Sequence, residues 1–365
     1  MKIKEVIDHL ERKFPLYWQE DFDNCGIQCG DKEREITGVM VCFDISEKVI
    51  DEAIMKNCNM VISHHPIIYK TGLKKVEPIN RVGKVICKAI ENKILLYSMH
   101  TNMDSGINGG NVLFAEKLGL QNLQVLAPKT DMFRKLVVFV PQNSTSILKQ
   151  ALFDAGAGEM GNYQHCSFTT SGTGSFFPNE GANPTIGTVG NDTFVEEERL
   201  EMIFPVSLQK NVIKALFQFH PYEEPAFDIF KIENPDFHIG LGRIGTLKEP
   251  MELIDFLKFA KQQLQLEVVK YSGNINRKIN KVAVCGGGGA SYVGDALAMG
   301  ADIYLTGDIK YHDFFIPENR MVVADIGHFE GENFIREIIY NEINKIFTNF
   351  ASYISEDEKL GINWI

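Results

Sequence analysis

Two adjacent histidines, His64 and His65, follow the apolar run Met60-Val61-Ile62-Ser63 and are closed off by Pro66. Imidazole nitrogens ligate divalent transition metals or move protons near neutral pH. Three further segments carry side chains of the same chemistry. His100-Thr101-Asn102-Met103-Asp104 follows the apolar stretch 95–99. Asp308 and His312 follow Ile303-Tyr304-Leu305-Thr306-Gly307, and Gly327-His328-Phe329-Glu330-Gly331-Glu332 follows the stretch 321–325. Four residues apart at a helix start, His328 and Glu332 project on one side. The combined His/Asp/Glu set exceeds what one tetrahedral ion takes. It suits two ions of zinc, iron or manganese roughly 3.5–4 Å apart, bridged by a carboxylate or water.

Other motifs speak more weakly. The run Gly286-Gly287-Gly288-Gly289, after one strand and before a helix, offers backbone N–H groups to a phosphate or simply makes a tight turn. It lacks the GK[ST] ending of a P-loop, and no HExxH pattern is present. Seven cysteines, an odd count, lie scattered in apolar contexts. Cys25 and Cys29 have no second pair to complete a zinc-finger set, so reduced buried thiols in a cytoplasmic protein are expected. His9, His165 and His238 read as structural or surface residues.

These chemical groups need strand ends to position them. Residues 3–13 have a helical apolar face, 36–43 reads as a strand, 46–57 as a helix and 59–63 as a strand. A helix over 80–92 and a strand over 93–99 follow, and Gly109-Gly110 opens a helix to Leu118. This alternation predicts a parallel α/β sheet, whose ligand sites lie beyond the carboxyl ends of the strands. Near the C-terminus Val282 and Ile303 repeat the spacing of Val39 and Met60, which predicts two similar α/β halves forming one layered core. Between them, 129–235 reads βαββαβ, with strands at 135–140, 163–171, 198–205 and 226–232 and a long loop over 172–191. That order is the ferredoxin-like α+β arrangement, here an inserted domain flanked by core segments 1–128 and 236–365.

Composition narrows the function classes. The 365 residues are 44% hydrophobic and 23% charged, as in ordinary globular chains. A net charge of −11 argues against nucleic-acid binding, which needs a basic footprint. No run of about 18 apolar residues exists to span a membrane. The first residues begin an amphipathic helix rather than a signal-peptide core.

Taken together, the SHHP after a strand, HTNMD, CGGGG, TGD..YHD and GHFEGE resemble the Nif-three-like family, whose members are often labelled GTP cyclohydrolase I type 2. The inserted segment, with His220-Pro221-Tyr222-Glu223-Glu224-Pro225, is similar to the CutA/PII-like domain of longer bacterial members. Asp23-Asn24-Cys25-Gly26 is similar to the family's DNxG, with Cys25 at a usually apolar position. The resemblance implies dinuclear metal ligands at His64, His65, Asp104, His328 and Glu332. It places His100 and His312 in the same cleft, in supporting or proton-transfer roles. It also implies a toroidal homohexamer whose openings the insert caps.

Two functions are expected to compete. One is a metal-dependent hydrolase acting on a nucleotide-like or phosphorylated small molecule, with Gly286 to Gly289 as a phosphate cradle. The other is a non-catalytic assembly that binds or delivers metal, or senses a small molecule through its insert.

Overall fold

The computed structural model describes residues 1–69 and 72–356. The chain divides into two compact units, Met1–Pro128 with Phe237–Ile365, and Lys129–Asp236.

Among the described residues the larger unit carries two sheets. The first runs in the order Gly26–Cys29, Leu95–Ser98, Met60–Ser63, Gly38–Cys42, Ala351–Ile354. Gly26–Cys29 pairs antiparallel and the rest parallel. The three central strands are buried along their whole length, which is why they read as continuous apolar runs without alternation. Their crossover helices start on side-chain caps: Ser46 accepts from Val49 N–H ahead of Glu47–Met55, and Asn80 from Gly83 N–H ahead of Arg81–Glu91.

The second sheet runs Lys270–Tyr271, Val322–Asp325, Ile303–Thr306, Lys278–Val284, Asp236–Glu252, Gln121–Lys129. Its centre is parallel, and Val282 pairs with Ile303 as Val39 pairs with Met60 in the first sheet. Lys270–Tyr271 and Asp236–Glu252 pair antiparallel with their neighbours. One apolar cluster takes side chains from both sheets, among them Val39, Val41, Val282 and Val284.

The smaller unit has four antiparallel strands in the order Phe168–Phe176, Thr193–Pro205, Phe133–Pro141, Phe227–Lys231. With helices Thr145–Asp154 and Gln209–Phe219 its element order is βαββαβ, and Leu136, Val138, Leu200 and Phe204 pack with Leu148, Leu152 and Leu216. The second and third strands fall later and earlier than expected. Glycines and hydroxyl residues weaken the local strand signal at 169–175, yet Phe168–Phe176 pairs along its length with Thr193–Pro205. The loop therefore shortens to 177–192.

The segment 327–334 differs from expectation too. It forms successive turns, and the helix Ile335–Ile346 begins only afterwards. Among the described residues no helix is long and apolar enough to cross a membrane.

Candidate metal centre

His64 and His65 leave the end of Met60–Ser63 with their backbone fixed. Ser98 Oγ donates to the His64 carbonyl and Ser63 Oγ to that of His65, each at 2.7 Å. Phe43, one residue past the neighbouring strand, stacks on the His64 ring and meets the His65 ring edge-on at 4.7 Å between centroids.

Four imidazoles are held by one device. Each Nδ1 lies against a group that only accepts, so each carries a proton there and turns Nε2 inward. His64 donates to the Met99 carbonyl at 2.8 Å, His65 to Asp44 at 3.2 Å, His100 to Asp23 at 2.9 Å and His328 to Asp308 at 2.7 Å. Asp44 and Asp308 lie just beyond strand ends, where the same positional rule that singles out the histidines also finds them. Asp308 adopts a left-handed backbone, φ 54°, which aspartate tolerates better than most residues.

The inward nitrogens surround one carboxylate oxygen. Glu332 Oε2 lies 3.2 Å from His328 Nε2, 3.5 Å from His64 Nε2 and 3.6 Å from His65 Nε2. Asp104 Oδ2 is 3.7 Å from His64 Nε2. Potential ligand atoms cluster within 4.8 Å of one another in three sets: His64, Asp104 and Glu332; His65, His328 and Glu332; and His64, His65 and His100.

The electrostatics fit a cation. His64 Nε2 and Glu332 Oε2 are fully buried and make no hydrogen bond, a costly state for protein alone. Burial pushes His64 down to about 4, leaving it neutral and available as a ligand. Burial and the neighbouring Glu332 charge push Asp104 up, a like-charge repulsion that divalent ions would relieve. For Glu332 burial acts upward, but His64 and His328 hold its carboxyl well below the usual range. His328 is raised to about 9: burial opposes the charged ring, but Glu332 and Asp308 outweigh it.

The four glycines prove to be spatial. A Cβ on Gly286 would lie 2.8 Å from Glu332 Cγ, and one on Gly287 only 2.2 Å from Glu332 Oε1. Their absent side chains make the room that Glu332 occupies. Gly286 N–H donates to Asn111 Oδ1 and Gly289 N–H to Thr306 Oγ1, so two of the four amides expected to cradle a phosphate are already engaged. Asn111 also donates to the Asp104 carbonyl at 3.1 Å, tying two site segments together.

His312 stands apart. It is exposed, precedes the short turn Asp313–Phe315, and packs against the Tyr311 ring, outside each of the three clusters. Asp23 is the residue that spacing alone did not reveal as functional. It accepts from His100, from Thr101 N–H and from the Thr101 hydroxyl, and these bonds overcome burial to hold its carboxyl well below the usual range. A cavity of about 570 Å³ opens beside His65 and His328.

The Duf34/NIF3 (NGG1p interacting factor 3) family model matches residues 1–359. The chain belongs to the Duf34/NIF3 family. A relative from Bacillus subtilis (strain 168), named "GTP cyclohydrolase 1 type 2 homolog", is 39% identical over 365 residues, covering 99% of this chain and 94% of its own length. A protein of the same name from Halalkalibacterium halodurans is 38% identical over 346 residues, covering 93% of this chain and 92% of its own. Among solved structures, a Bacillus cereus protein related to NIF3 aligns with a TM-score of 0.79 and 37% identity, over 100% of this chain and 99% of that one. This Duf34/NIF3 chain thus matches its relatives over nearly their full length.

Proposed function

We propose that this protein is a metal-dependent hydrolase working at a dinuclear centre. His64 and Asp104 would serve one divalent ion, His65 and His328 the other, and Glu332 would bridge them. The carrying observation is the convergence of three inward-facing Nε2 atoms on the buried, unbonded Glu332 Oε2. Ions held there supply Lewis acidity to a substrate oxygen and a nucleophile made from water near neutral pH. The protein's own contribution is orientation: the four acceptors at Nδ1 fix each ring, and Phe43 walls off one side. His100, held by Asp23 and next to the cluster without belonging to the five-ligand set, is the group placed to move a proton. His312, exposed and outside each of the three clusters, has no part in this reading.

The relatives' shared name favours a nucleotide-like substrate. The finer architecture belongs to the same proposal: two similar halves in a layered core, which the matching strand registers favour, with a PII-like insert and a homohexamer. The test is turnover of a panel of nucleosides, nucleotides and cyclic amides by metal-loaded protein beside Glu332→Ala. Equal trace rates would leave a metal-holding or metal-delivering assembly as the better account.

A further inference from the structure

Arg243 is a buried cation, 3% exposed, that the proposed mechanism leaves without a use. Among the described residues its bonds go to four backbone carbonyls and to no carboxylate. Nη1 donates to Gly240 and Gly242, each at 2.7 Å, and Nη2 to Gly106 at 2.7 Å and Ser105 at 3.4 Å. The first two carbonyls belong to its own strand, Asp236–Glu252. The other two come directly after Asp104. Gly240 N–H also donates to the Ser105 carbonyl, at 3.1 Å. The turn that follows a candidate ligand is thus pinned to a neighbouring strand.

The five ligands are held in different ways. Each histidine is fixed through its ring, by the acceptor behind Nδ1. Glu332 fills the room left over Gly286 and Gly287. Asp104 has neither device, and among the described residues no hydrogen bond reaches its carboxylate. It is placed through its backbone: its own carbonyl accepts from Asn111, and the next two accept from Arg243. Charge alone gives no reason for an arginine here. Asp104 lies near enough to act on the guanidinium, and a fixed cation there opposes divalent ions. Four carbonyls in two segments instead call for a rigid planar fork of N–H donors, which lysine lacks.

We infer that Arg243 is a positioning residue for the metal centre, holding Ser105 and Gly106 so that the Asp104 carboxylate faces His64. The inference rests on the proposed centre and names the residue that sets the affinity of its His64–Asp104 ion. Arg243 touches neither ion nor substrate. It acts through the chain on either side of its four bonds.

The test compares R243K, which keeps a charge but not the fork, with R243Q, which keeps an amide donor but no charge. Zinc is titrated into each full-length protein against a chromogenic chelator, with far-ultraviolet circular dichroism as the control for folding. Both variants should bind one ion about 10–100-fold more weakly and the other as the parent does. In a D104A background, which lacks that ion's ligand, R243K should change zinc binding no further. Metal-free crystals give a second readout that needs no ion. Asp104 Oδ2, 3.7 Å from His64 Nε2 in the parent, should move away in R243K. Parental zinc affinities in R243K with Asp104 in place would overturn the inference, and so would tighter binding in R243Q, which marks a charge effect. Equal weakening of both ions, or loss of the fold in both variants, would make Arg243 a general structural residue and also overturn it. A parent that holds fewer than two ions would count against the dinuclear centre alone, with the displacement of Asp104 still deciding the role of Arg243.

Discussion

His65 and His328 turn their Nε2 atoms toward each other at 3.2 Å, although both rings have their Nδ1 protons committed to carboxylates, Asp44 and Asp308. Two facing lone pairs at that distance repel unless a proton or a cation lies between them. Two imidazole nitrogens bound at about 2.0–2.1 Å to one tetrahedral ion stand about 3.4 Å apart, close to what is observed. The pair therefore has the spacing of two ligands of one ion.

Removing one member should cost metal and not the fold. His65→Ala is expected to lose at least one ion per chain by elemental analysis while its far-ultraviolet circular dichroism stays that of the parent. Full occupancy in the variant would contradict the ligand assignment.

The acceptors behind the rings should matter in proportion. Asp44→Ala and Asp308→Ala each free an imidazole to rotate and change tautomer, and should weaken metal binding by about 10–100-fold. Glu342→Gln alters a carboxylate that pairs with His9 and Lys13, and should leave affinity unchanged. Competition with a chromogenic chelator reads all three; equal effects would deny the acceptors a specific role.

Asp23 should act differently, because its partner is the candidate proton carrier. Asp23→Asn is expected to keep both ions but lower turnover, since His100 loses its anionic orienting partner. Loss of metal to the extent seen for His65→Ala would instead make His100 a ligand.

The glycine loop gives a steric test. Gly287 has φ +64°, where an L side chain costs about 1–2 kcal/mol. Its added Cβ would also displace Glu332. Gly287→Ala should therefore lower stability modestly and abolish high-affinity metal binding. Gly294, exposed within Val293–Ala298 with nothing near its Cβ position, should gain about 0.5–1 kcal/mol on change to alanine and keep its metal. Thermal melts and metal titrations of both variants separate strain from site damage.

The pH dependence follows from His328. Without metal it is raised to about 9 by Glu332 and Asp308 against the opposing effect of burial, so metal must expel a proton at neutral pH. Apparent affinity should rise by up to about tenfold per pH unit for this one proton toward pH 9 and then level off. His64, lowered to about 4, adds no slope above pH 5. The same raised value stabilises the metal-free fold fully below the ordinary histidine value of about 6.5, and that contribution is lost as pH rises through 9. Chelator-buffered titrations across this range check the sign; affinity independent of pH would contradict it.

How much of this could be read beforehand depended on whether the signal was local. His64, His65, His100, Asp104, Asp308, His312, His328 and Glu332 were visible as a group because buried parallel strands write apolar runs and sites follow their ends; only the family resemblance narrowed them to five ligands. Asp44 obeys the same rule. His312 satisfied that spacing, but the chain turns left-handed at Asp308 and leaves the ring exposed. Glu332 meets His328 through successive turns rather than a regular helix, so one-sidedness survived although its assumed cause did not. The strands Gln121–Lys129 and Asp236–Glu252 were not foreseen, since their pairing depends on distant partners. The purpose of Gly286 and Gly287 is legible only once Glu332 is seen filling the space above them.

The central claim is most directly tested by anomalous diffraction from metal-soaked crystals at the absorption edge of the bound ion. Two peaks per chain are predicted, one contacted by His64, Asp104 and Glu332, the other by His65, His328 and Glu332. A single peak, or peaks away from Glu332, would contradict the dinuclear centre.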